Sequence, residues 1–273
     1  METGREADGL LFEGGKIAGV GHHARGGGGD ARQDAAPTVF GNAAPQVLAA
    51  MLPQDRRAAF LSPYAKRPLS RSLWTMSFGV SRPPREFGVK SYSTFVVPDW
   101  MSSLSQMREA SALMGEAPGA RMPYYVLVDF SRIDSGLNET GSSVLSLCSG
   151  DRLENWASLP AAMVKARKEQ WMDCVVADLD RRFPGLAGAI THREMATAQT
   201  MQNYLNTPGG AVYGFAPEGT LAAALKQGPR TAIKGLWLAS AYTTSGGFTG
   251  AMFGGAQAAW EAMQDAGARA AAA

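Results

Sequence analysis

The feature that most constrains this chain is residues 235–259, GLWLASAYTTSGGFTGAMFGGAQAA. It opens on an apolar run, Leu236-Trp237-Leu238-Ala239, with the length and lack of polar interruption of a buried strand. Small and hydroxyl residues follow from Ser240 to Thr249, with a Gly246-Gly247 pair, and a loop is expected there. From Gly250 to about residue 266 Ala and Gly dominate. That run reads as a helix with Thr249 as its N-cap, the hydroxyl accepting from a first-turn amide. Small residues at Gly250, Ala251, Gly254, Gly255, Ala258 and Ala259 make a flat face that admits another backbone or a planar ligand. The amides and positive dipole end at Gly250-Ala251 favour a partial negative charge. On shape alone the stretch is equally an ordinary strand–loop–helix that packs closely and binds nothing.

The wording of the stretch resembles the C-terminal flavin-binding signature of the phytoene desaturase, carotenoid isomerase and retinol saturase family. These are FAD-dependent oxidoreductases of the amine-oxidase-like group. Gly235, Leu236, Trp237, Leu238, Ala239, Tyr242, Thr243, Gly246, Gly247, Gly250, Ala251, Gly255, Ala258 and Ala259 fit that pattern. Ser240 stands where Gly is usual, Ser245 where Pro is usual, and Phe248 where a third Gly is common.

Two further phrases resemble the same family. Residues 37–45, PTVFGNAAP, are similar to the strand that closes the middle segment of its FAD domain. Residues 196–217 are similar to the segment that returns the chain from the substrate domain to the flavin. There Tyr204, Pro208, Gly210, Ala211, Tyr213 and Gly214 fit, with Thr207 just before the Pro, and Ala198 or Gln199 replaces the phrase's first Pro. The resemblance implies that Ala239, Ser240, Gly246, Gly247, Phe248, Thr249, Gly250 and Ala251 lie on the cofactor. It implies that Gly210, Ala211 and Tyr213 face the substrate end of the flavin ring. No catalytic side chain outside the flavin is implied.

The N-terminal region sets a trap. Leu10 to Glu13, Gly14-Gly15 and Lys16 to Val20 read as a hairpin with a two-glycine turn. The next residues, Gly19-Val20-Gly21-His22-His23-Ala24, match G-x-G-x-x-[GA]. That fingerprint holds a dinucleotide only when a helix follows with its N-terminus aimed at the pyrophosphate. Arg25 and four glycines follow instead, which is poor helix material. The match is rejected, and residues 21–36 read as a flexible loop. Adjacent His22-His23 reads as a solvated pair, with no third metal ligand nearby. Thr38-Val39-Phe40 is a short strand, and residues 46–52 form a helix with Pro45 near its first turn.

From residue 55 to about residue 199 strands alternate with a few helices, an α+β pattern. Strands are expected at residues 72–80, 91–97, 124–130, 143–148 and 190–198, and helices at 101–114 and 161–183. In the family this region is the substrate domain, a mixed sheet with an apolar tunnel for polyene or lipid-like substrates. The 13 Met residues suit irregular apolar space, though each one serves equally as core filler. His192, Cys148, Asp129 and Asp134 form no acid–base or nucleophile constellation.

The fold expectation is α+β within an α/β flavoprotein family. Residues 1–52 and 200–273 would form the C-terminal part of an FAD/NAD(P)-binding Rossmann-type domain, and residues 53–199 the substrate domain. The family's N-terminal Rossmann unit is missing, so FAD binding by these 273 residues alone is expected to be weak or absent. Either the sequence is a C-terminal fragment, or a separate chain supplies the first half, or the chain is a degenerate protein that kept the scaffold. NAD(P) is an untested electron partner. Lys+Arg 26 against Asp+Glu 24 gives a near-neutral surface with no nucleic-acid signature. Cys148 and Cys174 lack metal or redox spacing and suit free thiols in a reducing compartment. With no membrane span or signal peptide read, the expectation is a cytoplasmic protein that meets a membrane surface for a lipid-like substrate. The different-class reading is a non-catalytic module that binds an apolar ligand or a protein.

Overall fold

The computed structural model describes residues 1–26, 29–136, 143–217, 228–244 and 246–271, with the side chains of 268–271 excepted. Asn138-Glu139-Thr140, which fits the glycosylation sequon, lies outside them. Two compact units share the chain: Met1–Ser70 with Val212–Ala273, and Arg71–Ala211.

The first unit begins with a meander. Strands β1 (Arg5–Glu13) and β2 (Lys16–Ala24) form the expected hairpin through Gly14-Gly15. A third strand, β3 (Arg32–Ala35), pairs antiparallel with β2 from Gly19↔Ala35 to His22↔Arg32. This corrects the expectation of a loop over residues 21–36. Nothing in the exposed, polar Arg32–Ala35 segment advertises a strand. It becomes one because the second edge of β2 offers an unpaired ladder. An ion cluster holds the turn: Asp30, with φ 71°, accepts from Arg5 and pairs with Arg32 at 2.6 Å. The rejected fingerprint lies wholly in β2, with no helix after it.

After β4 (Val39–Gly41) come α1 (Pro45–Ala50) and α2 (Gln54–Leu61). The C-terminal part contributes β10 (Leu236–Leu238) and α6 (Gly247–Ala271). Strands β10 and β4 run parallel, Leu236 opposite Val39 and Leu238 opposite Gly41. Ile17, Leu48, Leu52, Phe60, Tyr64, Phe215, Leu238 and Tyr242 close the core of this unit.

The second unit is a five-stranded sheet ordered β6-β7-β8-β5-β9, antiparallel throughout. Its strands are β5 (Ser72–Val80), β6 (Ser93–Val96), β7 (Tyr125–Asp129), β8 (Ser143–Asp151) and β9 (Ile190–Ala196). Period-two alternation turns Trp74, Met76 and Phe78 to one face. There α4 (Ala161–Arg182) adds Trp171, Met172, Val175 and Leu179. Next, α5 (Ala198–Leu205) starts on a capping box between Thr197 and Thr200.

The expected helix over residues 101–114 is the second correction. Only α3 (Met107–Ala110) is α-helical, between 3-10 turns at Leu104–Gln106 and Leu113–Gly115. Its apolar residues do not serve one stripe. Met101, Ala110 and Leu113 enter a small cluster with Tyr124, while Met114 enters the main core and Leu104 is 70% exposed. Ser103 and Gln106 cap a fresh turn inside the segment, which breaks the helical register.

Candidate functional site

Every residue of β10 is buried, and the strand hands over to a tightly self-bonded turn. Ala239 N–H donates to the Gly41 carbonyl at 2.9 Å. The Ser240 hydroxyl accepts from the Tyr242 amide at 3.2 Å, so it organises the turn it sits in. Its carbonyl accepts from the Thr243 hydroxyl at 2.7 Å, and the Thr244 hydroxyl donates to the Gly250 carbonyl at 2.8 Å.

Gly246 and Gly247 carry the loop into α6 with φ 80° and 65°. At Gly246 a β-carbon would stand 2.4 Å from the Tyr213 carbonyl, so only glycine fits. The same carbonyl accepts from Gly247 N–H at 3.2 Å. Tyr213 and the glycine pair are thereby brought together within the first unit. Thr249 is not the N-cap: the helix begins at Gly247, and Thr249 is already inside it. The left-handed glycines Gly246 and Gly247 carry the chain into the helix.

Small residues on α6 do permit close approach, and part of that approach is taken by the chain itself. A β-carbon on Gly254 would lie 2.3 Å from the Thr243 hydroxyl and 2.5 Å from the Ser240 carbonyl. Gly250 and Ala258 are buried, whereas Ala251 and Gly255 are half-buried. Phe248, in place of a small residue, projects outward at 89% exposure and leaves the turn unobstructed. What the loop presents is a strand end, two small half-buried helix residues and the positive end of a long helix. That arrangement fits the edge of a planar, electron-accepting ring whose carbonyl side gains negative charge. Tyr242 fits the signature but receives no role in the site from sequence. Its ring meets Phe215 edge-on at 5.0 Å, its hydroxyl has no partner among the described residues, and burial pushes its pKa up to about 12.

The other side of the expected site divides at the unit boundary. Gly210 (φ 67°) and the buried Ala211 belong to the second unit, where a Gly210 β-carbon would lie 2.3 Å from the Ala198 carbonyl. Tyr213 belongs to the first. On the less buried face of the sheet, register sets Phe95, Val126, Cys148, Thr75 and Ala196 in one row. Burial pushes the Cys148 thiol up, which keeps it neutral and a poor nucleophile. His192 is exposed on β9, and Asp129 is buried, accepting from the Ser131 amide and hydroxyl.

The histidines are not a solvated pair. His22 is buried, accepting from Arg5 Nε at 2.9 Å and facing Asp34 at 3.0 Å, while His23 meets Asp8 at 2.8 Å. Pairing of β3 with β2 covers His22, which sequence alone could not show. Among the described residues no cluster of His, Cys, Asp and Glu could hold a metal.

Two buried carboxylates, also missed, tie the second unit together. Asp151 accepts from the Arg152 amide, Asn155, the Trp156 indole and the Ala198 amide at 2.7–2.8 Å. Burial nonetheless raises its pKa. Asp178 accepts from the Tyr125 hydroxyl at 2.7 Å and from Arg181 and Arg182. Both hold structure.

Comparison with solved structures defines the fold. An oxidoreductase from Methanosarcina mazei superposes with a TM-score of 0.54 at 16% identity, covering 96% of this chain and 49% of that one. Putrescine oxidase (0.53, 14% identity) and the cyclohexylamine oxidase of Brevibacterium oxydans (0.50, 15%) each match 93% of this chain, and 47% and 46% of their own. The chain therefore has the α+β fold of the FAD-binding, amine-oxidase-like oxidoreductases. A segment of its sequence resembles the carotenoid isomerases. An 89-residue segment is 33% identical to the chloroplastic prolycopene isomerase of Arabidopsis thaliana and 30% identical to that of Daucus carota. It spans 32% of this chain and 15% and 14% of those relatives. No family profile matches the sequence. No helix among the described residues is long and apolar enough to cross a membrane.

Proposed function

We propose that this chain forms the ring-side and substrate-side part of an FAD-dependent oxidoreductase acting on carbon–carbon bonds of a hydrophobic, polyene or lipid-like substrate. The observation that carries the reading is the turn from Ser240 to Gly250. Its self-bonded hydroxyls, left-handed glycines and helix start leave small residues and a positive dipole end beside a strand terminus. The carotenoid isomerase resemblance supports the substrate class.

Ala239, Gly246, Gly247, Thr249, Gly250 and Ala251 would hold the flavin edge, with Ser240 shaping the turn and Phe248 outside it. Bound flavin supplies the electron-pair acceptor, and the protein supplies position and polarity. Gly210, Ala211 and Tyr213 would meet the substrate end. The phosphate and adenosine contacts come from a Rossmann half outside these residues, so the chain alone is inactive and binds FAD weakly or not at all. NAD(P) is the proposed electron partner. The assembled enzyme works in the cytoplasm and meets a membrane surface only to collect substrate.

The DNA flanking the coding region tests this directly. A strand–GxGxxG–helix segment, in frame or in an adjacent gene, is expected. Co-expression with that segment should yield protein with a flavin absorption band that converts a polyene, followed by chromatography. A co-expressed complex with neither flavin nor conversion sinks the reading, as does the absence of such a segment.

A further inference from the structure

The buried face of the second unit's sheet ends in polar atoms. Along β5 the period-two face that carries Trp74, Met76 and Phe78 begins at Ser72. Register sets Ser149 of β8 opposite Trp74, and Asp151 opposite Ser72. The four residues therefore share a patch about 7 Å along the strands and about 5 Å across them. Ser72, Trp74 and Ser149 are only 0–4% exposed. Their Oγ, Nε1 and Oγ atoms have no hydrogen-bond partner among the described residues. The neighbouring aromatic side chains differ in this respect. Trp156 donates to Asp151, Trp171 to the Met114 carbonyl, and the Tyr125 hydroxyl to Asp178.

A second observation comes from the turn that follows α5. Gly210 has φ 67°, and a β-carbon there would lie 3.0 Å from Ser72 Oγ. The turn at Pro208–Gly210 thus passes over the patch. Thr207, the residue before it, is buried, and its Oγ1 is also without a partner among the described residues. Folded proteins pair nearly all of their buried polar atoms, using ordered water where protein groups do not reach. Several unpartnered atoms gathered at one place mark such a site.

We infer that this patch is an internal water site, where ordered water binds Ser72 Oγ, Trp74 Nε1 and Ser149 Oγ beneath the Thr207–Gly210 turn. The chemistry of the lining selects water. The Trp74 indole only donates, so it repels a metal cation. The Asp151 carboxylate, opposite Ser72, repels an anion. Hydroxyl and indole groups give an apolar guest nothing to bond. Water accepts from the indole and exchanges bonds with the hydroxyls, and the three contacts are the usual number for a buried water. Its role is to join β5, β8 and the turn after α5 where no side chain bridges them. The site lies on the covered face of the sheet, away from the row through Cys148, so it stands independently of the flavin and substrate reading.

The test combines a high-resolution crystal structure of the full chain with a mutant cycle in urea denaturation. The crystal structure should show ordered water within about 3.2 Å of each of the three atoms. Ser149→Ala should raise the unfolding equilibrium constant about fivefold, because the water and, through it, the Trp74 indole lose a bond. In the Trp74→Phe background the same change should raise it less than about twofold, since the two side chains act through one water. A dry patch, an ion or organic molecule in place of water, or direct protein partners for the three atoms overturn the inference. A Ser149→Ala chain as stable as the parent, or more stable, overturns it too, because that is the result of removing an unpartnered hydroxyl from a core. If Trp74→Phe does not fold, the crystal structure and Ser149→Ala decide by themselves.

Discussion

The two units of this chain treat apolar surface in opposite ways. In the second, Trp74, Trp156 and Trp171 are fully buried between a five-stranded sheet and α4. In the first, Trp260, Phe248 and Phe40 face outward around a parallel pair of strands. One unit closes its own core; the other, among the described residues, has a core that stops at the β4 edge and at a helix whose large side chains are exposed. A hydrophobic side chain is thus informative only with its surroundings: on β5 it reports a finished core, on α6 an exposed apolar face.

The contrast can be broken most sharply by truncating one tryptophan in each unit. Trp171→Ala should cost about 3–5 kcal/mol in urea denaturation, as the loss of a large aromatic from a sealed core. Trp260→Ala should change stability by no more than about 0.5 kcal/mol, as a surface substitution. A loss above 1 kcal/mol at Trp260, taken here as roughly twice that surface range, would mean that this face of α6 is already covered.

Next in size is Asp151→Ala, expected to cost about 3 kcal/mol, because four donors, the Trp156 indole and the Ala198 amide fully buried, lose their acceptor at once. Gly246→Ala follows, at about 1–3 kcal/mol of backbone strain, since its φ of 80° and the nearby Tyr213 carbonyl exclude a side chain. In the assembled protein the same substitution should weaken flavin retention, read from the absorption spectrum.

A smaller effect concerns acid. Burial opposes ionisation of Asp178, but hydrogen bonds from Arg182, Tyr125 and Arg181 outweigh it and hold the carboxyl below its ordinary value. The unfolded chain therefore takes up the proton first as pH falls. Stability from this group is present above about pH 4 and is lost as pH drops through the lower folded value. Asp178→Asn should lower stability at neutral pH and flatten its decline between about pH 5 and pH 2. Smallest of all, Phe40→Lys should shift the midpoint of the isolated chain by less than about 0.5 kcal/mol and reduce self-association in sedimentation.

Much of this was legible in sequence because the signals were local. The strands at residues 72–80 and 124–130 alternate at period two, and the helix over 161–183 ends on Pro184-Gly185. The Gly246-Gly247 turn announces itself because no other residue pair tolerates that backbone so readily. Illegible features depended on a partner distant in sequence. Arg32–Ala35 is a strand only because β2 lies beside it. His22 is buried only because that pairing covers it. The apolar spacing over residues 101–114 suggested one helix, yet its members serve two different clusters.

By itself the sequence determined where the chain can bend and which short runs must be buried, since glycine freedom, proline limits and hydrophobic period act within a few residues. It also held the order of phrases that resembles the carotenoid isomerase group. Tertiary structure alone decided which way α6 faces. Its small and its large residues are both apolar, so its composition names no inner side. The side was set when Gly254 met the Ser240 carbonyl at a distance no side chain could share, which left the large residues outside.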